Sequence, residues 1–117
     1  MGSGHEVRIK RIYDEPASTD GYRILVDRIW PRGVSKDDAH LDEWLADVAP
    51  TTELRKWFGH DPGLFAEFAK RYRAELEGSQ ALARLRERCA EHPVVTLLYS
   101  ARDTEHNQAV ALLGMLG

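Results

Sequence analysis

The chain has 117 residues, of which 43% are hydrophobic, and this length suits one domain with its own core. Its 16 basic and 19 acidic residues give a net charge of −3, which argues against general nucleic-acid binding, since that function normally needs a basic face. The single cysteine, Cys89, excludes an internal disulfide and predicts a cytoplasmic location. No apolar run suits a secretion signal or a membrane span, so we expect no membrane partner.

The first half of the chain predicts two strands. Residues 1–5 (MGSGH) are small, polar and unpatterned, and we interpret them as an added tail or a frayed end that precedes a single domain over residues 6–117. Glu6–Ile12 alternates between two faces, which is the period of a strand. After a loop rich in turn residues, Tyr22–Val26 is almost continuously β-branched or aromatic, which indicates a central strand covered on both faces.

The middle of the chain is less regular. The bulky run of the second strand gives way at Trp-Pro-Arg-Gly (Trp30–Gly33) to a shaped loop, because proline restricts the preceding residue and glycine frees the backbone. Ser35 is expected to cap a single helical turn. Leu41–Pro50 has no clean period and is predicted to be irregular, with a short additional strand as an alternative near residues 41–44.

The second half predicts helices with one further strand. The predicted helices begin at Thr51 or Thr52, at Asp61-Pro62, at Ser79 and at Thr104, each at a capping side chain. Gly59, Gly78 and the pair His92-Pro93 are expected to end the first three of these helices. Val94–Tyr99 has the composition of a second buried strand.

This order, β-β-α-α-α-β-α, predicts a small three-layer α/β domain with a short, mainly parallel sheet flanked by helices. Three strands are the minimum for such a sheet. The sequence contains neither a glycine-rich dinucleotide fingerprint nor a phosphate-binding loop, and its His and Asp pairs lack metal-ligand spacing. We therefore expect no cofactor and no metal.

Polar residues are concentrated directly after the two apolar strands. The candidate ligand-binding residues are Arg28, Trp30, Arg32, Gly33, Ser100, Arg102, Asp103 and Asn107. Ligands of open parallel sheets bind beyond the carboxyl ends of the strands, and the second group is expected on the first turn of the last helix, where the dipole attracts anions. The sequence therefore predicts an arginine-lined pocket for a small phosphate- or carboxylate-bearing molecule, nucleotide-like compounds included.

Within this pocket we expect the arginines to hold the anion and Trp30 to form an apolar wall. Asp27 and His106 are the candidate catalytic residues, because either could move a proton. Structural alternatives stay open: the arginines could clamp backbone carbonyls, and Asp103 or Thr104 could cap the last helix. Arginine outnumbers lysine by 12 to four, which fits an anion site and equally fits a GC-rich genome.

Two functions therefore stay open at the level of the residues. The first is a cytoplasmic enzyme or ligand-processing domain that acts on a small anion. The second is a non-catalytic module that binds a ligand in the same pocket, or a partner protein through the surface around Trp44 and Trp57. Whether there is any catalysis, and the oligomeric state, are left undecided by the sequence.

Eight blocks of sequence carry a family resemblance. They are Lys10–Asp14, Asp20–Gly33, Leu41–Trp44, Ala49-Pro50, Glu53–Phe58, Tyr72–Leu76, Thr96–Asp103 and His106-Asn107. Over about residues 7–117 the chain closely resembles the YeaO-like branch of the domain-of-unknown-function 488 family. The resemblance implies a small soluble α/β protein without an established activity, and it supports the location of the pocket rather than a reaction.

More distant branches of that family carry a cysteine at the end of the last strand and a Cys-His-Arg motif at the start of the following helix. Tyr99 stands at the first position here, and Asn107-Gln108-Ala109 stands at the second. The resemblance therefore implies no thiol chemistry for this chain.

Overall fold

The computed structural model describes residues 5–116, so residues 1–4 of the predicted tail lie outside the described part. The strands are β1 (Glu6–Arg11), β2 (Tyr22–Leu25), β3 (Glu43–Trp44) and β4 (Val94–Tyr99). The helices are α1 (Lys36–Ala39), α2 (Thr52–Phe58), α3 (Phe65–Leu76), α4 (Gln80–Glu91) and α5 (Gln108–Leu116). The predicted α/β class is confirmed. Within residues 5–116, no helix has the length and apolar character needed to span a bilayer.

All four strands are parallel and lie in the order β1-β4-β2-β3, so the two apolar strands occupy the centre, as predicted. Arg11 pairs with Tyr99, and Leu25 pairs with Leu98. The carboxyl ends of β1, β2 and β4 therefore meet at one edge of the sheet. The loops that follow these three strands are brought together there.

The sheet buries side chains on both faces. Ile24 and Leu97 belong to the larger core, which also contains side chains from α2, α3, α4 and α5. Leu25 and Leu98, their neighbours along the strands, belong to a smaller cluster with Ala39 of α1. All five side chains are fully buried. This alternation explains why both central strands are mostly apolar, with Arg23 and Thr96 as their buried polar residues.

The face of the sheet that carries the smaller cluster also contains a buried ion pair. Asp20 is 5% exposed and accepts hydrogen bonds from Arg23 Nη1 at 2.5 Å and from Lys10 Nζ at 3.1 Å. Burial raises the pKa of this carboxyl, but the Ala17 N–H, Lys10 and Arg23 together hold it below its ordinary value. The remaining donors of Arg23 bind the carbonyls of Ala39 and His40. The ion pair therefore fixes the chain between α1 and β3.

Local sequence patterns predicted most of the helix starts. The hydroxyls of Ser35, Thr51 and Ser79 each accept a hydrogen bond from the backbone N–H three residues later, as expected for caps. The segment Leu41–Pro50, predicted to be irregular, contains the two-residue strand β3 beside β2. The alternative of a short extra strand near residues 41–44 is therefore confirmed.

The start of the last helix differs from the prediction. Asn107 caps α5, because its Oδ1 accepts a hydrogen bond of 3.0 Å from the backbone N–H of Val110. Asp103 closes a separate turn, in which its carboxylate accepts from the N–H groups two and three residues later. The predicted cap at Asp103 or Thr104 is wrong, and so is the placement of residues 103–106 on the first helical turn.

A substitution at Gly21 should be much more damaging than the same change at Gly78. Both glycines have positive φ angles, +68° and +78°. A Cβ at Gly21 would lie 2.2 Å from the backbone oxygen of Val94, whereas nothing lies within 4 Å at Gly78. Gly78→Ala should cost about 1 kcal/mol for left-handed backbone, and Gly21→Ala should cost about 1 to 3 kcal/mol more, because β4 must shift. Urea denaturation measures both, and equal losses would contradict the proposed contact.

Candidate functional site

A cavity of about 370 Å³ opens at the carboxyl edge of the sheet. Residues from the loops after β1, β2 and β4 line it, together with residues from α2 and α3. This is the position at which open parallel sheets bind their ligands.

The cavity brings together residues from both groups singled out in the sequence. Seven of the ten candidates line it: Asp27, Arg28, Trp30, Arg32, Ser100, His106 and Asn107. Gly33, Arg102 and Asp103 are not among the lining residues. Gly33 instead has a φ of +79°, which allows the sharp turn after Arg32. Arg102 is exposed.

Two tryptophans hold the loop after β2 in place. The indole N–H of Trp44 donates a hydrogen bond of 2.7 Å to the carbonyl of Asp27. The indole N–H of Trp30 donates one of 2.6 Å to the carbonyl of Val34. The two rings meet edge to face, with centroids 5.4 Å apart. The side chains of this loop are therefore presented to the cavity from a fixed backbone.

Arg28 joins this loop to the start of α2. Its Nη2 donates to the carbonyl of Ala49 at 3.0 Å, and its Nε donates to the carbonyl of Pro50 at 3.2 Å. The structural alternative, a carbonyl clamp, therefore accounts for two nitrogens of this guanidinium. Within residues 5–116, no group accepts a hydrogen bond from the third nitrogen, Nη1.

Two other arginines at the cavity have no acceptor among residues 5–116. Arg55 lies on α2, whose first turn is fixed by the Thr51 cap, and Arg32 lies on the loop after β2. Both residues are exposed, and neither side chain forms a hydrogen bond or an ion pair within the described residues. The carbonyl of Arg32 accepts a hydrogen bond of 2.9 Å from Tyr13, which fixes its backbone. These two guanidinium groups can bind an anion without first breaking a contact.

Asp27 is a buried carboxylate in the cavity wall, 7% exposed. The backbone N–H of Ser100 donates to its Oδ2 at 3.1 Å, and the side-chain amide of Gln108 donates to its Oδ1. Burial raises the pKa of Asp27, and the hydrogen bonds from Ser100 and Gln108 offset this only in part. The charge of Arg55 also lowers this pKa, but within residues 5–116 no cation forms a salt bridge with Asp27.

The imidazole of His106 contacts the carboxylate of Asp103 rather than that of Asp27. Its Nδ1 lies 3.0 Å from Oδ2 of Asp103, and its ring meets Phe65 edge to face. The backbone N–H of Glu105 and the side chain of His106 hold the pKa of Asp103 below its ordinary value. In the described chain no hydrogen bond connects Ser100 to His106, so a Ser-His-Asp relay is not assembled.

Asn107, predicted as a ligand-binding residue, is 1% exposed and is used by the fold. Its Nδ2 donates to the carbonyl of Asp103 at 2.8 Å, while its oxygen caps α5. It therefore contributes part of the cavity wall, and both ends of its amide are occupied.

Sequence reasoning missed four polar residues that line the cavity, Tyr13, Arg55, His60 and Gln108. Arg55 and His60 lie on α2 and the turn after it, and they reach the cavity only because that helix packs at this edge of the sheet. No local pattern marks them. His60 does have a positive φ of +59°, which is uncommon for a non-glycine residue. Gln108 could have been found, since it directly follows the candidate Asn107.

Comparison with known proteins agrees with the family resemblance. Residues 6–117 match the family described as the inactive DUF488-N3 subclade. The uncharacterized protein YeaO of Escherichia coli K12 is 46% identical over 111 residues, which cover 94% of this chain and 96% of YeaO. The uncharacterized protein Rv3073c of Mycobacterium tuberculosis H37Rv is 46% identical over 110 residues, 94% of this chain and 92% of that protein. No solved structure matches. The chain therefore belongs to the YeaO-like DUF488 proteins and, within them, to the inactive N3 subclade.

Proposed function

We propose that this protein binds a small phosphate- or carboxylate-bearing molecule in the cavity at the carboxyl edge of the sheet and does not transform it. The observation that carries the proposal is the pair of unpartnered guanidinium groups, Arg32 and Arg55, at one cavity. Nη1 of Arg28 adds a third set of donors nearby. Planar guanidinium donors match the oxygens of carboxylates and phosphates, so an anion is the natural complement.

The cavity also has the size and composition of a small-molecule site. Its volume of about 370 Å³ lies at the lower end of the range for ligand pockets, about 300–1,000 Å³. Trp30, Phe58 and Phe68 contribute aromatic surface to its walls. An organic anion with a few carbon atoms therefore suits it better than an inorganic ion alone.

Three observations favour binding over turnover. Asp27 is held by neutral donors, and His106 is paired with Asp103. Within the described residues, His106 forms no hydrogen bond with Ser100, and Cys89 is half-buried on α4, away from the cavity-lining residues. The description of the matching subclade as inactive points the same way.

The burial of Asp27 also supports a functional role. Asp20 is equally buried, but its charge is matched by Arg23 and Lys10, and its pKa is lowered. The pKa of Asp27 is raised, because burial outweighs its hydrogen bonds. A carboxyl whose pKa is raised by folding destabilises the folded state at neutral pH. Stability lost at one side chain of a cavity is commonly the cost of function.

Removing one free guanidinium should weaken anion binding. We expect Arg55→Ala to lower affinity by at least roughly tenfold, since hydrogen bonds to charged groups contribute about 1.5–3 kcal/mol. The matched control is Arg73→Ala, an exposed arginine of α3 that does not line the cavity. Calorimetry with inorganic phosphate, phosphate monoesters and small mono- to tricarboxylates measures the change. Binding by none of these probes, or equal weakening by both variants, would overturn the proposed function.

The two buried carboxyls should respond in opposite ways to an isosteric change. Asp20→Asn should cost about 3–5 kcal/mol at pH 7, because it leaves the buried Arg23 without its charge partner. Asp27→Asn should be neutral or stabilising, because the amide of Gln108 can turn over to accept from the new side chain.

The sign of the pH dependence follows from the raised pKa of Asp27. As the pH rises, Asp27 loses its proton at a lower pH in the unfolded chain than in the folded chain, so its ionisation destabilises the folded state at neutral pH. This destabilisation fades as the pH falls through the folded pKa towards the ordinary value of 3.8. Any advantage of Asp27→Asn should therefore shrink between pH 7 and about 4. Denaturation curves across this range test both variants, and a loss at Asp27 as large as that at Asp20 would contradict the comparison.

A further inference from the structure

We infer that the ligand of this cavity carries a cationic amino group in addition to its anionic group, and that the amino group docks against Asp27. The inference rests on the proposed function, since it assumes that the cavity takes an anion. It narrows the ligand class to small zwitterions, either amino carboxylates or amino phosphates.

In the described chain, the buried carboxylate of Asp27 lacks a cation in direct contact with it. Its hydrogen-bond donors, the backbone and side chain of Ser100 and the Gln108 amide, are all neutral. Buried carboxylates are normally matched by a cation, as Asp20 is matched by Arg23 at 2.5 Å. Within residues 5–116 no lysine, arginine or histidine lies within ion-pair distance of Asp27. Arg55 acts on Asp27 only from beyond ion-pair distance, so the buried carboxylate has no cation of the described residues in direct contact with it.

The carboxylate of Asp27 can be reached from the cavity. Asp27 is buried among protein atoms on most sides but lines the cavity. A ligand in the cavity can therefore reach it, whereas bulk water reaches it poorly. An ammonium group would supply the missing charge in a setting of low solvent screening, where a charged hydrogen bond is strongest. A hydroxyl would add a further neutral donor and leave the charge unmatched.

The cavity has positive charges at its exposed side and a negative charge in its buried wall. Arg32 and Arg55 are exposed, while Asp27 is buried. The outer part of the site is therefore cationic and its wall is anionic. A simple anion would satisfy the arginines and add repulsion at Asp27, whereas a zwitterion would satisfy both. Complementarity of this kind discriminates between ligands that differ by a single group.

The experiment uses matched pairs of probes that differ only in the amino group. Glutamate is compared with glutarate, aspartate with succinate, and phosphoethanolamine with ethyl phosphate, by calorimetry on the full chain. We expect the amino-bearing member of at least one pair to bind roughly tenfold more tightly or better, which is about 1.4 kcal/mol or more. The pair that responds shows whether the anionic end is a carboxylate or a phosphate.

Asp27→Asn should abolish this preference while leaving the amine-free member bound at least as well. The control is Asp47→Asn, which removes one charge from an exposed site outside the cavity and should keep the preference. Equal binding of both members of every pair by the unmodified protein overturns this inference and leaves the proposed function standing. Binding by no member of any pair overturns both.

A measurement on the unmodified protein keeps the inference testable if Asp27→Asn does not fold. The carboxyl carbon of Asp27, followed by NMR in aspartate-labelled protein, reports its titration directly and separates it from the other titratable lining groups, His60, His106 and Tyr13. A ligand whose ammonium group contacts Asp27 should lower the pKa of this carboxyl, whereas a bound anion without an amino group should raise it. A rise with the amino-bearing ligand would show that the amino group lies elsewhere and would overturn the inference.

Discussion

The hydrogen bonds to Asp27 hold the carboxyl edge of the sheet together. One carboxylate on the loop after β2 accepts from the backbone at the end of β4, through Ser100, and from the first residue of α5, through Gln108. Three elements that are distant in the sequence therefore converge on one side chain. Because these donors are neutral, the contact fixes geometry without neutralising the charge. The same residue thus organises the cavity wall and leaves it electrostatically incomplete.

Four arginines of this chain differ in how many of their guanidinium donors bind acceptors within the protein. Arg23 is buried beside Asp20 and two carbonyls, so its donors are consumed by the fold. Arg28 uses two of its three nitrogens on the carbonyls that precede α2. Arg32 and Arg55 have no acceptor within the described residues and keep their donors. Among these four arginines, the two with free donors lie at the cavity, where an anion can reach them.

Local sequence patterns predicted the features that depend on neighbouring residues. They failed for features that depend on contacts between residues distant in the sequence. The caps at Thr51 and Ser79 and the two central strands were predictable, because each depends on side chains a few positions apart. The start of α5 was not, since Asp103 and Asn107 both have capping chemistry and the buried position of Asn107 settles which one caps the helix. Arg55 joins the site through the packing of α2, which no local period encodes. The loops of the site were therefore predictable, but its full set of charges was not.

Two positions at which more distant branches of the family carry cysteine are occupied by other residues in this chain. At these positions the chain has Tyr99, which is buried at the end of β4, and Asn107, whose amide is used at both ends. Both side chains therefore serve the fold. What faces the cavity instead is a set of charges: free guanidinium groups outside and an unmatched carboxylate within. Charges of opposite sign fixed on a rigid frame can stabilise a bound zwitterion without any bond being made or broken, so the proposed binding requires no nucleophile at either position.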